Sequence, residues 1–117
     1  MVKDYIDIAA GVSKSAAALR KAIPGQMQGF AGLGAAAYKD NALPGKFKEL
    51  IALAIGIAGR CEGCVAYHAK MAFEKGASRE EVAETIGVAI QMGGGPSMVY
   101  GGEALAAYDA FADEDPA

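Results

Sequence analysis

Cys61 and Cys64 are the chain's two cysteines, and His68, its single histidine, follows the second of them by four residues. If residues 61–68 are helical, both thiols and the imidazole fall on one face. Such a row can carry nucleophilic sulfur chemistry. The thiolate is the reactive form, and a free cysteine, with a pKa of about 8.5, needs a helix N-terminus, a base or a cation to ionise at neutral pH. A helix starting near Cys61 would put both sulfurs in its first turn, Arg60 precedes them, and His68 can accept the proton. His68 stands one turn from Cys64 and two from Cys61, so Cys64 is the expected attacking thiol and Cys61 the resolving one. Spacing alone leaves a second chemistry open, because two thiolates, an imidazole and Glu49 would also suffice as zinc ligands. Haem attachment is excluded, since it needs histidine directly after the second cysteine, where Val65 stands.

The elements that position these groups follow from apolar spacing. Tyr5, Ile8, Ala9, Val12, Ala16 and Leu19 predict a helix over about residues 3–22, closed by Pro24-Gly25. Residues 26–39 predict a second, with Met27, Phe30, Leu33 and Ala37 on one side and Asp40-Asn41 at its end. Pro44 suits a first helical position, and Phe47, Leu50, Ile51, Ala54, Ile55 and Ala58 then predict an almost wholly buried third helix. After a turn at Gly59-Arg60, a fourth helix runs from about Cys61 to Lys75 and stops at Gly76. An antiparallel return at that turn sets Glu49 opposite about residue 71, within about one turn of His68. A carboxylate there can orient the imidazole, completing a nucleophile, base and orienting group.

Ser78-Arg79-Glu80-Glu81 reads as a capping box opening a fifth helix that carries Val82, Ile86, Ala89 and Ile90. Gly93-Gly94-Gly95 interrupts the chain, with no preceding strand and no following Lys-Ser/Thr, so it predicts an interhelical turn and not a phosphate loop. Pro96 starts a sixth helix to about Phe111, and the acidic tail Asp113-Glu114-Asp115 is expected to fray. Val99-Tyr100 is the most β-like pair, but Gly101-Gly102 follows at once. The expected fold is all-α: one domain over residues 1–117 with about six helices and a motif core over 44–92. The five methionines and the pair Tyr67/Phe73 read as core or subunit contacts, and Tyr67, beside His68, is a candidate lining for an access channel.

Composition bounds the partners. Hydrophobic residues are 53% of the 117, more than a small monomer needs for its interior, so a homo-oligomer is expected. The net charge is −3 and no Lys/Arg run exceeds two residues, which argues against nucleic acid. The longest apolar stretch, Leu50 to Gly59, is too short to span a bilayer, and acids near the amino end interrupt any signal-peptide pattern. A cytoplasmic protein without membrane partners is expected. In that compartment a Cys-x-x-Cys pair points to redox or metal chemistry more than to a structural staple.

The spacing Glu49-x11-Cys61-x2-Cys64-x3-His68 resembles the alkylhydroperoxidase D-like (AhpD-like) branch of the carboxymuconolactone decarboxylase superfamily. The resemblance runs through Leu43-Pro44-Gly45-Lys46-Phe47-Lys48-Glu49-Leu50-Ile51-Ala52-Leu53-Ala54, Arg60 to His68, Gly76 to Val82, and Met92-Gly93-Gly94-Gly95-Pro96-Ser97, covering roughly residues 24–111. It implies an all-helical fold assembled as trimers or hexamers. It further implies that Cys64 attacks a hydroperoxide, Cys61 resolves, and Glu49 and His68 relay protons, with no cofactor and an external dithiol, small or protein-borne, as reductant. The implied activity is that of a thiol-dependent alkyl hydroperoxide reductase of peroxiredoxin type. Alkylhydroperoxidase D itself has a second histidine between its cysteines, where this chain has Gly63, and the decarboxylases of the superfamily lack the cysteine pair. Two other readings stand beside it: a redox adaptor exchanging disulfides with a partner protein, and a non-catalytic oligomer that binds a metal or ligand.

Overall fold

The computed structural model describes residues 3–115; the ends of the expected 1–117 domain, with Met1, lie outside the described residues. Among those residues six helices follow one another: α1 (Tyr5–Ala22), α2 (Pro24–Ala37), α3 (Gly45–Ala58), α4 (Glu62–Glu74), α5 (Arg79–Gly93) and α6 (Gly95–Glu114). The all-α expectation holds, with no strand among the described residues.

Local chemistry sets most boundaries. The Asp4 side chain accepts the Asp7 N–H to start α1. Pro24 does not simply close α1: it is the first residue of α2, so one residue, Ile23, separates the two helices. Pro44 caps α3 from outside instead of entering it, and the Asp40 carboxylate accepts the Gly45 N–H at that end. Both halves of the Ser78/Glu81 capping box form, at 3.1 and 2.8 Å, and Lys46 adds a 3.0 Å ion pair to Glu81. Those contacts, led by the Ser78 backbone N–H, hold the Glu81 carboxyl below its usual range. Gly94, at φ 77°, makes the predicted turn between α5 and α6. The acidic tail does not fray where expected. Asp113 and Glu114 are helical, and buried Phe111 anchors the turn they belong to.

The core is built largely of small residues around α4. Val65, Ala66, Ala69 and Ala72 are fully buried, and α4 packs against α3, α6 and α1, while α5 lies on α6 and α3. Small side chains let backbones approach closely. A β-carbon added at Gly101 would lie 2.6 Å from the Ile86 side chain, and one at Gly56 would lie 3.0 Å from the Cys64 β-carbon. Larger groups then fill the middle, with Leu53, Ile57 and Val82 fully buried. The Tyr108 hydroxyl donates to the Ala77 carbonyl at 2.7 Å, which ties α6 to the loop after α4.

The third helix departs from its expected burial. Leu50, Leu53 and Ile57 point inward, but Phe47, Ile51 and Ile55 remain exposed, Ile55 at 67%. A helix apolar on nearly every side cannot bury its whole circumference within so few neighbours. The second helix buries no residue at all, and Phe30 is 73% exposed. Met92 and Met98 are likewise exposed, so the methionines of α5 and α6 lie outside this chain's core. No helix among the described residues is long and apolar enough to cross a membrane.

Candidate active site

The site is assembled where α3 reverses into α4. Gly59 caps α3, and Arg60, at φ 56°, takes the left-handed conformation that glycine usually supplies at this position. Its N–H bonds to the Ile57 carbonyl at 3.1 Å and the Cys61 N–H to the Gly56 carbonyl at 2.9 Å, closing the helix end. A side chain in that conformation costs on the order of 1 kcal/mol. The reversal delivers Cys61 as the residue capping α4, one position ahead of the helix it was expected to begin.

Cys61 then acts as serine or aspartate does at most helix starts, accepting the Cys64 N–H on its sulfur at 3.2 Å. The two cysteines are joined in a disulfide, with Cα atoms 5.1 Å apart. Both are half-buried, so the bond is neither sealed in the core nor fully in solvent. The contact between Gly56 and Cys64 presses this end of α4 against α3, and no larger residue at 56 would leave that spacing. On the other side α1 covers the turn between the cysteines: a β-carbon on Gly63 would lie 3.0 Å from the Val12 side chain. A side chain at Gly63, such as the histidine by which alkylhydroperoxidase D differs from this chain, would require Val12 to give by a few tenths of an ångström. Lys3, paired with Glu62 at 2.7 Å and Glu103 at 2.9 Å, fastens the chain ahead of α1 to the first turn of α4 and to α6. The Tyr5 hydroxyl donates to the same Glu103 carboxylate.

His68 lies one helical turn beyond Cys64, and its ring is held from several sides. Glu49, reaching from α3, is only 3% exposed and meets Nδ1 at 2.7 Å. The predicted proximity is thus a direct contact. A carboxylate oxygen only accepts, so Nδ1 carries the hydrogen of this bond, an arrangement that in the neutral imidazole makes Nε2 the acceptor. Tyr67 stands edge-on to the ring with centroids 5.0 Å apart and an interplanar angle of 79°, itself partly open to solvent. Tyr38, at the end of α2, lies nearly parallel to the imidazole at 5.8 Å and 24°. Burial, and then the neighbouring Glu49 charge, push the Tyr38 phenol above its usual range, so it stays protonated.

All four residues singled out from spacing, Glu49, Cys61, Cys64 and His68, therefore belong to one locality. Tyr38 was not foreseen. Its only sequence signal is an aromatic residue placed directly after the second helix, thirty positions from the ring it covers. No three or more His, Cys, Asp or Glu among the described residues are arranged to hold a metal ion.

A half-buried dithiol at a helix start, followed by an imidazole oriented by a buried carboxylate, can do proton-coupled sulfur redox chemistry. The chain is 40% identical over 100 residues to an uncharacterized protein of Cupriavidus necator, across 86% of this chain and 88% of that one. It is 35% identical over 80 residues to uncharacterized protein 4 in the cox locus of Paracoccus denitrificans, across 68% and 72% of the two chains. Its fold superposes with a TM-score of 0.89 on the crystal structure of an apo carboxymuconolactone decarboxylase family protein from Legionella pneumophila, at 44% identity over 92% of this chain and 96% of that one. The sequence pattern of the carboxymuconolactone decarboxylase family matches residues 24–110, which include Tyr38, Glu49, Cys61, Cys64, Tyr67 and His68. With that match and the Cys61–Cys64 disulfide that fits its alkylhydroperoxidase D-like branch, the chain belongs to the carboxymuconolactone decarboxylase family.

Proposed function

We propose that the protein is a thiol-dependent alkyl hydroperoxide reductase. The observation that carries this reading is the disulfide at the start of α4 with an imidazole one turn away, oriented by the buried Glu49 carboxylate. In the reduced protein Nε2 of His68 takes the Cys64 proton, and the imidazolium is stabilised by Glu49. The Cys64 thiolate attacks the terminal oxygen of the hydroperoxide. A sulfur–oxygen bond forms, the oxygen–oxygen bond breaks, and the alkoxide leaves as the alcohol with the proton held by His68. Cys64 is then a sulfenic acid. The Cys61 thiol, whose sulfur accepts the Cys64 N–H in the oxidised protein, loses its proton and attacks the Cys64 sulfur; the sulfur–sulfur bond forms, the sulfur–oxygen bond breaks, and the leaving hydroxide takes up that proton as water. An external dithiol, small or protein-borne, returns both cysteines to thiols by disulfide exchange, and no cofactor enters the cycle.

The same reading holds that the enzyme works in the cytoplasm as a homo-oligomer, a trimer or hexamer, in which neighbouring copies cover the exposed faces of α2 and α3. Turnover is the test. Reduced protein given an organic hydroperoxide and a panel of dithiols should consume peroxide at a rate that saturates with the dithiol and exceeds that with monothiols. Consumption no faster than the dithiol blank counts against the reading.

A further inference from the structure

We infer that Tyr38 is a positioning residue for the Cys64 proton transfer: its ring, laid over His68, fixes the imidazole and stabilises the cation formed when that ring takes the thiol proton. The inference rests on the dithiol reading above.

An imidazole held at Nδ1 by one carboxylate can still swing about that hydrogen bond. Glu49 fixes one edge of the ring, Tyr67 meets it edge-on, and Tyr38 lies across a face at 24° and 5.8 Å. Tyr38 is itself anchored. Its N–H bonds to the Gly34 carbonyl at 3.0 Å, the Lys48 amine donates to the Lys39 carbonyl, and Asp40 accepts from Gly45. Segment 38–44 is thereby pinned to the first turn of α3, and Glu49 leaves α3 one turn later. One structural unit thus positions both the carboxylate and the aromatic face.

An aromatic face within about 6 Å of a cation attracts it through the ring quadrupole. The groups that meet the His68 ring are Glu49 from α3, Tyr67 from α4 and Tyr38 from the end of α2, with Cys64 one helical turn before it on α4. On the α1 side Val12 covers Gly63, and the nearby cation Lys3 is engaged by Glu62 and Glu103. Glu49 supplies the carboxyl group at the ring edge, and the phenol of Tyr38, kept protonated by burial and by that neighbour, adds a neutral face. The ring, not the hydroxyl, carries the effect.

The test follows alkylation of Cys64 by iodoacetamide against pH, in reduced protein carrying Cys61→Ser so that one thiol reports. Tyr38→Leu should move the midpoint upward by about half to one pH unit, and Tyr38→Phe, which keeps the ring, should restore it. In a His68→Asn background Tyr38→Leu should produce no further shift, because its effect passes through the imidazole. An unchanged midpoint in Tyr38→Leu overturns the inference. So does a shift of equal size in Tyr38→Phe, or one that persists without His68. Tyr38→Trp, which also presents an aromatic face, should retain the midpoint even if the leucine variant folds poorly. Absence of peroxide turnover in the wild type alongside the expected shifts would sink the reductase reading and leave the positioning role standing.

Discussion

Replacing Cys64 with serine is expected to abolish hydroperoxide reduction, lowering the rate by roughly a thousandfold or more, because a hydroxyl cannot supply the polarizable anion that attacks peroxide oxygen. Cys61→Ser should behave differently. It should retain the first oxidation and stop there, leaving a sulfenic acid that dimedone labels on Cys64. Two local forces bear on this division, and they act on different sulfurs. The helix-start hydrogen bond from the Cys64 N–H reaches Cys61, whereas His68 lies one turn from Cys64. The first favours a thiolate on Cys61 without giving it a base. The second provides a proton acceptor at Cys64, which is what the peroxide step needs. The hydrogen bond to Cys61 then has its own use, since the resolving attack requires a thiolate there. A dimedone adduct on Cys61 in the Cys64→Ser protein, with one hydroperoxide consumed per chain, would reverse the assignment.

His68→Asn is expected to slow the peroxide step by on the order of 10²–10³-fold, within the usual range for losing a positioned acid–base group. Glu49→Gln should cost about a hundredfold although the side chain keeps its shape. The amide of glutamine can donate to Nδ1 as well as accept from it, and in the donating arrangement the ring hydrogen sits on Nε2 and the proton acceptor is lost. The two residues act as one unit. The double variant should therefore be no slower than His68→Asn alone, and fully multiplied losses would show that Glu49 acts by some route other than the imidazole. Rates of peroxide consumption under saturating dithiol, with circular dichroism to confirm folding, give the comparison. Folding must be checked because Glu49 is buried, and removing its partner leaves a buried carboxylate without a hydrogen bond.

The helix count, the capping box at Ser78 and the turn at residues 59–60 were legible because periodicity and capping chemistry are local. The contact of Glu49 with His68 was legible for a related reason: a tight antiparallel return lets helical rise alone estimate what faces what. The orientation of α3 was not. Its sequence is apolar at Phe47, Leu50, Ile51, Leu53, Ala54, Ile55 and Ile57, so no polar stripe marks the outer side, and only packing against α4 and α5 selects Leu50, Leu53 and Ile57. The apolar excess of the composition lies on α2, on the outside of α3, and at Val88, Met92, Met98 and Val99 of α5 and α6. Tyr38 was illegible because its partner lies thirty residues away and its own segment is an irregular loop. The tail at Asp113 and Glu114 was misread since charge alone argued for fraying, while buried Phe111, one turn back, holds the helix.

The most direct measurement is a single turnover without added dithiol. Fully reduced protein is mixed with one equivalent of an organic hydroperoxide, the alcohol is quantified, and the protein is weighed and mapped by mass spectrometry. One alcohol per chain, loss of two hydrogens from the protein, and a Cys61–Cys64 disulfide in the peptide map are the predicted result. Thiols that stay intact while the hydroperoxide persists, or alcohol formed without oxidation of Cys64, would contradict it.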